Sequence, residues 1–433
     1  MTQTDSTKTV LKTVECSFFK WRDFSLSDRI EVVRDIRNRL LDHKQQYAKA
    51  ITTDMNKPIA QALAEVEKCA YLCDYYIENA PVFLKDRKVI TGWSESSIIF
   101  RPLGVLLGVM PWNFPFWQVF RFVIPSLLAG NTFVVKHASN VPLSARALED
   151  VFNVPTINFP IYKNLPIKSD EVAAVIANPL IKAVSFTGSE QAGRSVAEIA
   201  GKYLKKCVLE LGGSNAFIVL EDADLNYAAE KAVKARMQNA GQSCIAGKRF
   251  LVQESVYTQF LNLLKKQLNA LKTGDKFDKS VDFGAMARED LAEELEKQLA
   301  ESVSLGAKIA VGGKRNGAFF EPTILTDVSP DMPVFKEETF GPVAAVVPFK
   351  TMDDALALSN QSDFGLGVSI FTTAPEKIQA YLPLFEEGAI FINEIIVSDP
   401  HLPFGGIKNS GYGRELSEFA LYEFTNIQTV VVK

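Results

Sequence analysis

The chain has 433 residues, of which 47% are hydrophobic and 23% are charged. This length predicts about three domains, or two with a small appendage, and the composition is typical of a soluble globular protein. Lys and Arg number 47 against 51 Asp and Glu, so the net charge is -4. No basic excess indicates binding to nucleic acid or to anionic lipid.

Cysteine and histidine are scarce, with five cysteines and three histidines in the chain. A small and odd number of cysteines argues against a disulfide framework and favours a cytoplasmic location. None of their spacings resembles a zinc site, so we expect no metal. The polar N-terminus does not resemble a secretory signal. The apolar segment 98–130 is interrupted by prolines and polar residues, which argues against a membrane span.

The first part of the chain is predicted to form helices, then a hairpin, then an alternating series. Apolar residues at helical spacing predict an amphipathic helix over 27–53 and a second helix over 59–80. Residues 85–101 are predicted to form a hairpin around Thr91 and Gly92. The series that follows has strands predicted at 105–110, 132–136, 183–186 and 208–211, and helices at 116–128, 144–152, 170–176 and 190–199.

A second alternating series follows Gly213. Its strands and apolar runs are predicted at 217–220, 250–253, 309–311, 343–348 and 388–392, and its helices at 228–236, 256–271, 291–305 and 351–360. Strands that are apolar throughout and alternate with helices indicate parallel sheets covered on both faces. The sequence therefore predicts two α/β domains side by side, with residues 427–433 as an edge strand.

Cys244 is a candidate nucleophile. It stands in Gly241-Gln-Ser-Cys-Ile-Ala-Gly247, whose glycines allow tight curvature and the close approach of a ligand. An accessible thiolate is a good nucleophile. The alternative is a buried structural cysteine, which is the usual fate of a free cysteine. Cys69 and Cys73, four residues apart on a predicted helix, are interpreted as core packing.

Glu210 is a candidate general base. It ends a predicted apolar strand, directly before Gly212 and Gly213, and ligands bind at the carboxyl ends of such strands. Partial desolvation raises the pKa of a carboxyl group and suits it to general-base work. The alternative is a salt-bridged glutamate at the edge of the sheet.

Two predicted turns carry further candidates. Gly188 and Ser189 join a strand to a helix, where free amides bind phosphate, although Ser189 is also a suitable N-cap. Asn113 lies between two prolines after a buried strand, and a rigidly held side-chain amide stabilises an oxyanion. The alternative for Asn113 is a turn residue that satisfies its own backbone.

Six motifs, in this order, resemble the aldehyde dehydrogenase superfamily over nearly the whole chain. They are Pro111-Trp-Asn-Phe-Pro115, Phe186-Thr-Gly-Ser189, Leu209-Glu-Leu-Gly-Gly213, Gly241-Gln-Ser-Cys244, Glu337-Glu-Thr-Phe-Gly-Pro342 and Pro403-Phe-Gly-Gly-Ile-Lys-Asn-Ser-Gly-Tyr-Gly-Arg-Glu415. Glu210 and Cys244 stand 34 residues apart, as in the family. The chain most resembles bacterial succinate-semialdehyde dehydrogenases, through Lys136-His-Ala138 and Lys206-Cys-Val-Leu-Glu-Leu-Gly-Gly213.

The resemblance implies an α/β, aldehyde dehydrogenase-like fold, with two Rossmann-like parallel α/β domains plus a small β oligomerisation element. The implied cofactor-binding domain covers 1–84 and 103–211, the catalytic domain covers 212–412, and the oligomerisation element covers 85–102 and 413–433. A homodimer or a dimer of dimers is also implied. Two departures bear on cofactor binding: the family usually opens with a further strand pair, and the segment 154–169 is irregular near the expected adenine site.

The resemblance also implies roles residue by residue. Cys244 matches the nucleophile, Glu210 the general base, and Asn113 together with the Cys244 backbone amide the oxyanion hole. The residues implied to bind NAD or NADP are Trp112, Lys136, Ser139, Gly188, Ser189, Glu338 and Phe340. In the implied reaction the thiolate attacks an aldehyde, hydride transfer to the nicotinamide leaves a thioester, and water activated by Glu210 hydrolyses it to the acid.

Cofactor preference and substrate follow from single positions. NAD-preferring members of the family place a glutamate where this chain has Ser139, so we expect NADP to be accepted and NAD to be usable. Arg121 is either a core ion-pair member or, as in succinate-semialdehyde dehydrogenases, the ligand of a substrate carboxylate. Gln238 stands where the family has a second arginine, and Ser398 is expected to add a hydroxyl.

Three alternatives remain open at the level of the sequence. A coenzyme-A-acylating relative captures the thioester with a thiol, and such relatives generally lack the base that matches Glu210. A non-catalytic binding or structural protein on the same fold is the second alternative. A γ-glutamyl-phosphate-type reductase with a related fold is the third.

Overall fold

The computed structural model describes residues 3–433, which begin with four helices. They are α1 (Gln3–Trp21), α2 (Leu26–Asp42), α3 (Lys44–Met55) and α4 (Ile59–Phe83). The prediction of one helix over 27–53 is wrong, because the chain breaks at His43. No glycine or proline marks this break, and the His43 backbone N–H still donates to the Arg39 carbonyl.

A hairpin follows the four helices, as predicted for 85–101. Strands β1 (Arg87–Lys88) and β2 (Glu95–Pro102) pair in antiparallel register, with Arg87 opposite Ile98 and Lys88 opposite Ser97. The turn between them includes Thr91 and Gly92.

The first alternating series forms a parallel sheet with the strand order β7-β6-β3-β4-β5. Its strands are β3 (Val105–Met110), β4 (Thr132–His137), β5 (Tyr162–Asn164), β6 (Ile181–Thr187) and β7 (Lys206–Glu210). Its helices are α5 (Trp117–Leu128), α6 (Pro142–Val151), α7 (Val172–Ala177) and α8 (Glu190–Lys202). The segment 154–169 is less irregular than expected, because β5 within it adds a strand beside β4.

The second series forms a seven-stranded sheet with the order β10-β13-β14-β9-β8-β16-β17. Its strands and the short pairs attached to it are β8 (Asn215–Val219), β9 (Gly247–Gln253), β10 (Lys308–Val311), β11 (Arg315–Asn316), β12 (Phe319–Phe320), β13 (Thr323–Thr326), β14 (Val343–Phe349), β15 (Phe364–Gly365), β16 (Val368–Phe371) and β17 (Ile390–Ile392). The helices are α9 (Leu225–Met237), α10 (Tyr257–Asn269), α11 (Glu289–Ser304), α12 (Pro333–Lys336) and α13 (Met352–Asn360). All neighbours pair in parallel except β10 and β13.

The last part of the chain returns to the earlier sheets. Strand β18 (Ile407–Lys408) pairs with β15, and β19 (Gly411–Tyr412) pairs antiparallel with β7. Helix α14 (Ser417–Glu423) leads into β20 (Thr425–Val432), which pairs with β2 along its whole length. The opposite side of β20 has no neighbouring strand in the described part of the chain, so the predicted edge strand is confirmed.

Apolar side chains cover both faces of the first sheet and form a separate core around the second. Helix α1, for which the sequence carried no prediction, buries Leu11 and Val14 against β4 and its neighbours. Within residues 3–433 no helix is long and apolar enough to cross a membrane. The same residues contain no group of three His, Cys, Asp or Glu side chains placed to hold a metal ion.

Candidate active site

A cavity of about 280 Å³ opens where loops following the strands of both sheets meet. Seven residues predicted from the sequence line it: Trp112, Asn113, Gly188, Ser189, Cys244, Glu338 and Phe340. Helix α11 contributes Leu291, Glu294, Leu295 and Gln298 to the remaining wall. The carboxyl ends of parallel strands are where α/β folds bind ligands, so this cavity is the candidate active site.

The loop that carries Cys244 is held in a constrained backbone conformation. Asn239 and Ala240 precede it in the left-handed region, with φ of 53° and 52°. The Asn239 side chain donates to the carbonyls of Asn113 (2.8 Å) and Gln242 (3.1 Å). Asn215 donates to the Cys244 carbonyl at 2.6 Å. Strained backbone persists only where the surroundings determine it, and these side-chain amides do so here.

Two motif glycines are required by close backbone approaches. A Cβ on Gly213 would lie 2.5 Å from the Cys244 carbonyl oxygen. A Cβ on Gly241, which has a φ of 73°, would lie 2.4 Å from the Gly341 carbonyl oxygen. The glycines beside Glu210 and before Cys244 therefore let the two motif loops pack against each other.

Cys244 is partly buried and faces the cavity. Burial raises the pKa of its thiol to about 11, and the charges of Glu338 and Glu210 raise it further. The positive charge of Arg121 acts in the opposite direction. The thiol is therefore protonated at neutral pH in this structure and needs a proton acceptor before it acts as a nucleophile.

Asn113 is buried, and its side-chain amide has a fixed orientation. Its Nδ2 donates to the Gln242 carbonyl at 3.1 Å, and its Oδ1 accepts from Gln118 Nε2 at 2.9 Å. One N–H of this amide has no partner among the described residues, and both Asn113 and Gln118 line the cavity with Cys244. Sequence analysis gave Gln118 no role, although it is polar in a helix that is otherwise almost entirely apolar.

A buried ion pair supports the Asn113 loop. Lys57 and Glu65 lie 2.6 Å apart, with side chains 1% and 2% exposed. Lys57 also donates to the Asn113 carbonyl at 2.9 Å. Glu65 accepts from the backbone N–H groups of Phe116 (2.9 Å) and Trp117 (3.1 Å), which otherwise lack partners at the start of α5. Sequence analysis missed this pair, because its role depends on contacts about 50 residues away along the chain.

Glu210 is buried beside the cavity rather than exposed in it. Neither carboxylate oxygen has a hydrogen-bond partner, and Glu210 forms no ion pair within the described part of the chain. Burial raises the pKa of the carboxyl group well above its usual range, and the neighbouring Glu415 raises it further. A Cβ on Gly405 would lie 2.8 Å from Glu210 Oε1. The glycine in the motif that begins at Pro403 therefore leaves room for the Glu210 side chain. The structure thus contains a buried carboxyl group without an ion-pair partner among the described residues, not the salt-bridged alternative.

Glu338 lies across the cavity and is held by a buried lysine. Lys248 forms an ion pair with Glu338 and also donates to the Gly213 carbonyl. The Gly213 backbone N–H donates to Glu338 Oε1 at 3.0 Å. Trp112 and Phe340 meet edge to face at 5.6 Å in the same wall. Sequence analysis did not single out Lys248, although it follows the Cys244 motif directly.

The remaining residues predicted to bind the cofactor are spread along the first sheet. Gly188 and Ser189 precede α8, a helix of 13 residues, and the Ser189 hydroxyl makes no capping hydrogen bond to it. Ser139 is exposed and lines a second cavity of about 740 Å³ beside α6. Lys136 is partly buried in β4 and lines neither cavity, and burial lowers the pKa of its ammonium group.

The three residues predicted to contact substrate are not all brought together. Arg121 is 3% exposed, and its Nε lies 2.8 Å from Glu415 Oε2, so the core ion-pair alternative is present. Its Nη2 has no hydrogen-bond partner among the described residues. Ser398 is buried and accepts from Trp117 Nε1 at 2.8 Å. Gln238 is exposed at the end of α9. None of the three residues lines the Cys244 cavity itself.

Comparisons with known proteins agree with this arrangement. The model of the Aldehyde dehydrogenase family matches residues 1–430. A probable succinate-semialdehyde dehydrogenase [NADP(+)] of Synechocystis sp. is 45% identical over 419 residues, which are 96% of this chain and 92% of that protein. The succinate semialdehyde dehydrogenase [NAD(P)+] Sad of Escherichia coli is 44% identical and covers 98% of this chain and 93% of its own.

Solved structures match equally well. The succinic semialdehyde dehydrogenase of Streptococcus pyogenes in complex with NADP+ has a TM-score of 0.95 at 36% identity, covering 98% of this chain and 94% of that chain. The chain therefore belongs to the aldehyde dehydrogenase family. The predicted fold and the predicted class of enzyme, an NAD(P)-dependent aldehyde dehydrogenase, are confirmed by these matches.

Proposed function

We propose that the protein oxidises succinate semialdehyde to succinate, with Cys244 as the nucleophile. The observation that carries the substrate assignment is Arg121, a buried guanidinium with an unpartnered Nη2 whose charge acts on both Cys244 and Glu210. A planar guanidinium suits a carboxylate. Relatives 45% and 44% identical carry this activity in their names.

The residues around the cavity fit a nicotinamide dinucleotide. The N-terminus of α8 follows Gly188 and Ser189 and is not capped by the Ser189 side chain, so its amides suit a phosphate. Glu338 and Phe340 would hold the ribose and ring, and Lys136 the adenosine side. A nicotinamide bound there would supply the acceptor for the hydride that leaves the substrate carbon.

Residues of this chain carry out the other steps, which are nucleophilic attack, oxyanion stabilisation and hydrolysis of the thioester. The Cys244 thiol gives its proton to water, and the resulting thiolate attacks the aldehyde carbon. The free N–H of Asn113, fixed by Gln118, stabilises the oxyanion together with the Cys244 backbone amide. Glu210 acts on the thioester by taking a proton from water, so it must ionise and turn toward the cavity during turnover. Its raised pKa and its absence of partners support both steps.

The proposed cofactor preference rests on two side chains. Ser139 carries no charge to repel a 2′-phosphate, and Lys136 supplies positive charge on the same side of the sheet. We expect NADP+ to be accepted and NAD+ to be usable. A preference for NAD+ above about a hundredfold in kcat/KM, roughly 2.7 kcal/mol, would contradict this.

A kinetic panel tests the proposed function. Succinate semialdehyde, glutarate semialdehyde, butanal and hexanal are compared with NADP+ and NAD+, in the presence and absence of coenzyme A. The expected result is the highest kcat/KM for succinate semialdehyde, some turnover of glutarate semialdehyde, and no requirement for coenzyme A. Equal efficiency with butanal would leave the aldehyde dehydrogenase class intact but remove the substrate assignment.

The proposal extends to organisation and location. The cofactor-binding, catalytic and oligomerisation regions are those given above from the family resemblance. The edge strand β20 supports a homodimer or a dimer of dimers, because an open apolar edge invites pairing. Five free cysteines support a cytoplasmic location.

A further inference from the structure

Lys68 on α4 is a partly buried cation that forms no ion pair among the described residues. Its ammonium donates to the Ser398 hydroxyl at 2.9 Å and lies 4.1 Å from the centre of the Trp117 ring. Burial lowers the pKa of Lys68 to about 8, and the charge of Arg121 is the next largest cause. A lysine in this environment is costly unless an anion joins it.

The charged groups that face Lys68 include no ion-pair partner for it among the described residues. On its own helix Glu65 is engaged with Lys57, and Cys69 is a buried thiol whose pKa is raised by burial. On α5 stands Arg121, paired with Glu415. On the loop after β17, Asp399 lies 2.8 Å from His401 and outside ion-pair distance of Lys68. The buried carboxylate of Glu415 is thus paired with Arg121, and Lys68 has no ion-pair partner among the described residues.

Ser398 adds a hydrogen-bond donor to the two cations. Its oxygen accepts from Trp117 Nε1 at 2.8 Å and from Lys68 Nζ at 2.9 Å. A hydroxyl oxygen has two acceptor positions, so both are filled and its own proton is free to be donated. Arg121 Nη2, buried without a partner, is the third donor of this cluster.

The cluster lies beside the reacting centre. Trp117 reaches Ser398, while the next residue, Gln118, lines the cavity and orients Asn113. None of the three cluster residues lines the cavity itself, but the charge of Arg121 acts on both Cys244 and Lys68, so Arg121 lies between them. A substrate carboxylate that reached Arg121 would meet guanidinium, ammonium and hydroxyl donors.

We infer that Lys68 is a specificity-determining residue that binds the distal carboxylate of the substrate together with Arg121 and Ser398. The inference rests on the proposed function, which supplies the carboxylate. It explains how the chain places a second cation in the site although Gln238 is neutral and exposed.

The test compares Lys68→Met and Lys68→Arg with the wild type, using succinate semialdehyde and butanal, a four-carbon aldehyde without a carboxylate. Lys68→Met is expected to lower kcat/KM for succinate semialdehyde by about 10- to 100-fold, mainly through KM, as for loss of a hydrogen bond to a charged group. Its kcat/KM for butanal stays within about twofold, and Lys68→Arg retains most of the preference.

The pH profile gives an independent readout. Because the free ammonium has a pKa of about 8, KM for succinate semialdehyde rises relative to KM for butanal above that pH in the wild type. In Lys68→Arg this rise disappears, because a guanidinium stays charged. The comparison of the pH profiles of the wild type and Lys68→Arg still tests the inference if Lys68→Met does not fold.

The outcomes separate the two levels of the proposal. A wild type that does not prefer succinate semialdehyde over butanal overturns the proposed function and the role of Lys68 with it. A wild-type preference that Lys68→Met retains, or equal losses on both aldehydes, overturns only the role of Lys68. A rise of KM for succinate semialdehyde with pH that persists in Lys68→Arg also overturns only the role of Lys68.

Discussion

Burial holds two reactive groups of the site in their neutral forms. It raises the pKa of the Cys244 thiol to about 11 and the pKa of the Glu210 carboxyl well above its usual range. The negative charge of Glu210 also raises the pKa of the Cys244 thiol, so ionising both at once is unfavourable. Arg121 lowers both pKa values, and its pairing with Glu415 limits that effect.

Alkylation of Cys244 in the free enzyme reports its ionisation. Below a pKa of about 11 the thiolate fraction rises about tenfold for each pH unit, so the rate of labelling by iodoacetamide is expected to rise from pH 7 to pH 9. Mass spectrometry of the peptide that contains Cys244 measures this rate separately from labelling of the exposed Cys16. A pH-independent rate would mean that the thiolate is already formed at neutral pH.

Cys244→Ala is expected to abolish aldehyde oxidation while NADP+ binding stays measurable by fluorescence. Asn215 and Gly213 contact the backbone carbonyl of Cys244 and not its side chain, so the loop keeps its conformation. No other thiol lines the cavity, and covalent catalysis has no substitute group there. Turnover above about a thousandth of the wild-type rate would remove Cys244 as the nucleophile.

Glu210→Gln separates the two halves of the reaction. A glutamine resembles the neutral buried acid in size and charge, so the fold is expected to be preserved. A burst of reduced cofactor should remain, while steady turnover falls by about 100- to 10,000-fold, because the base for hydrolysis is lost. Stopped-flow absorbance measures both phases. Loss of the burst together with steady turnover would show that Glu210 is needed to activate Cys244.

The helix α5 depends on α4 for its N-terminus. Glu65 on α4 accepts from the two otherwise unpaired backbone N–H groups at the start of α5 and pairs with Lys57, which in turn donates to the Asn113 carbonyl. The element that carries Arg121 and Gln118 is therefore fixed by one buried ion pair. A helix without a capping side chain of its own gains its N-cap from a tertiary contact.

Glu65→Ala is expected to destabilise the fold by about 3–5 kcal/mol, because it leaves Lys57 buried without a counter-ion. Glu67 on the same helix pairs with Lys44 at the surface, with side chains 51% and 39% exposed. Glu67→Ala, the matched control, is expected to cost less than about 1 kcal/mol. Chemical denaturation of both variants provides the comparison. Similar losses of unfolding free energy in the two variants would mean that the buried Lys57–Glu65 pair stabilises the fold no more than the surface pair does.

Local patterns were sufficient to predict most elements but not their irregularities. Strand β3 has the predicted bounds, because six consecutive buried apolar residues follow Gly104. Strand β5 was missed since it has three residues and lies among prolines. The break at His43 was missed since no glycine or proline marks it in the sequence.

The residues of the site divide in the same way, into those that local motifs predict and those that depend on distant contacts. The motif residues around Cys244 were predicted because short, ordered motifs carry them, and seven of them line one cavity. The supporting residues Lys57, Glu65 and Lys248 were not, since each acts through a partner distant in sequence. Arg121 was predicted as one of two alternatives, and its pairing with Glu415, far along the chain, was not visible locally.

The two large sheets end at one cavity, and the small sheet of β1, β2 and β20 has an unpaired edge at β20. In that sheet β20 pairs with β2 on one side only, and Ile427, Val430, Val431 and Val432 are exposed. Apolar residues on an uncovered edge strand are an aggregation hazard in a monomer. The open edge of β20 therefore supports the proposal that a second copy covers it.

We expect light scattering of the wild type to give a multiple of the 47.9 kDa chain mass. In Val430→Lys/Val432→Lys, two lysines on one face of β20 repel those of a second copy, so a smaller assembly is expected. Val432 lies opposite Glu95 on β2, so its lysine is compatible with the pairing inside the chain. Leu204→Lys, at a residue that is 95% exposed elsewhere, is the control and keeps the wild-type mass. A wild-type mass of 47.9 kDa would show that β20 is open in solution and that the chain is a monomer.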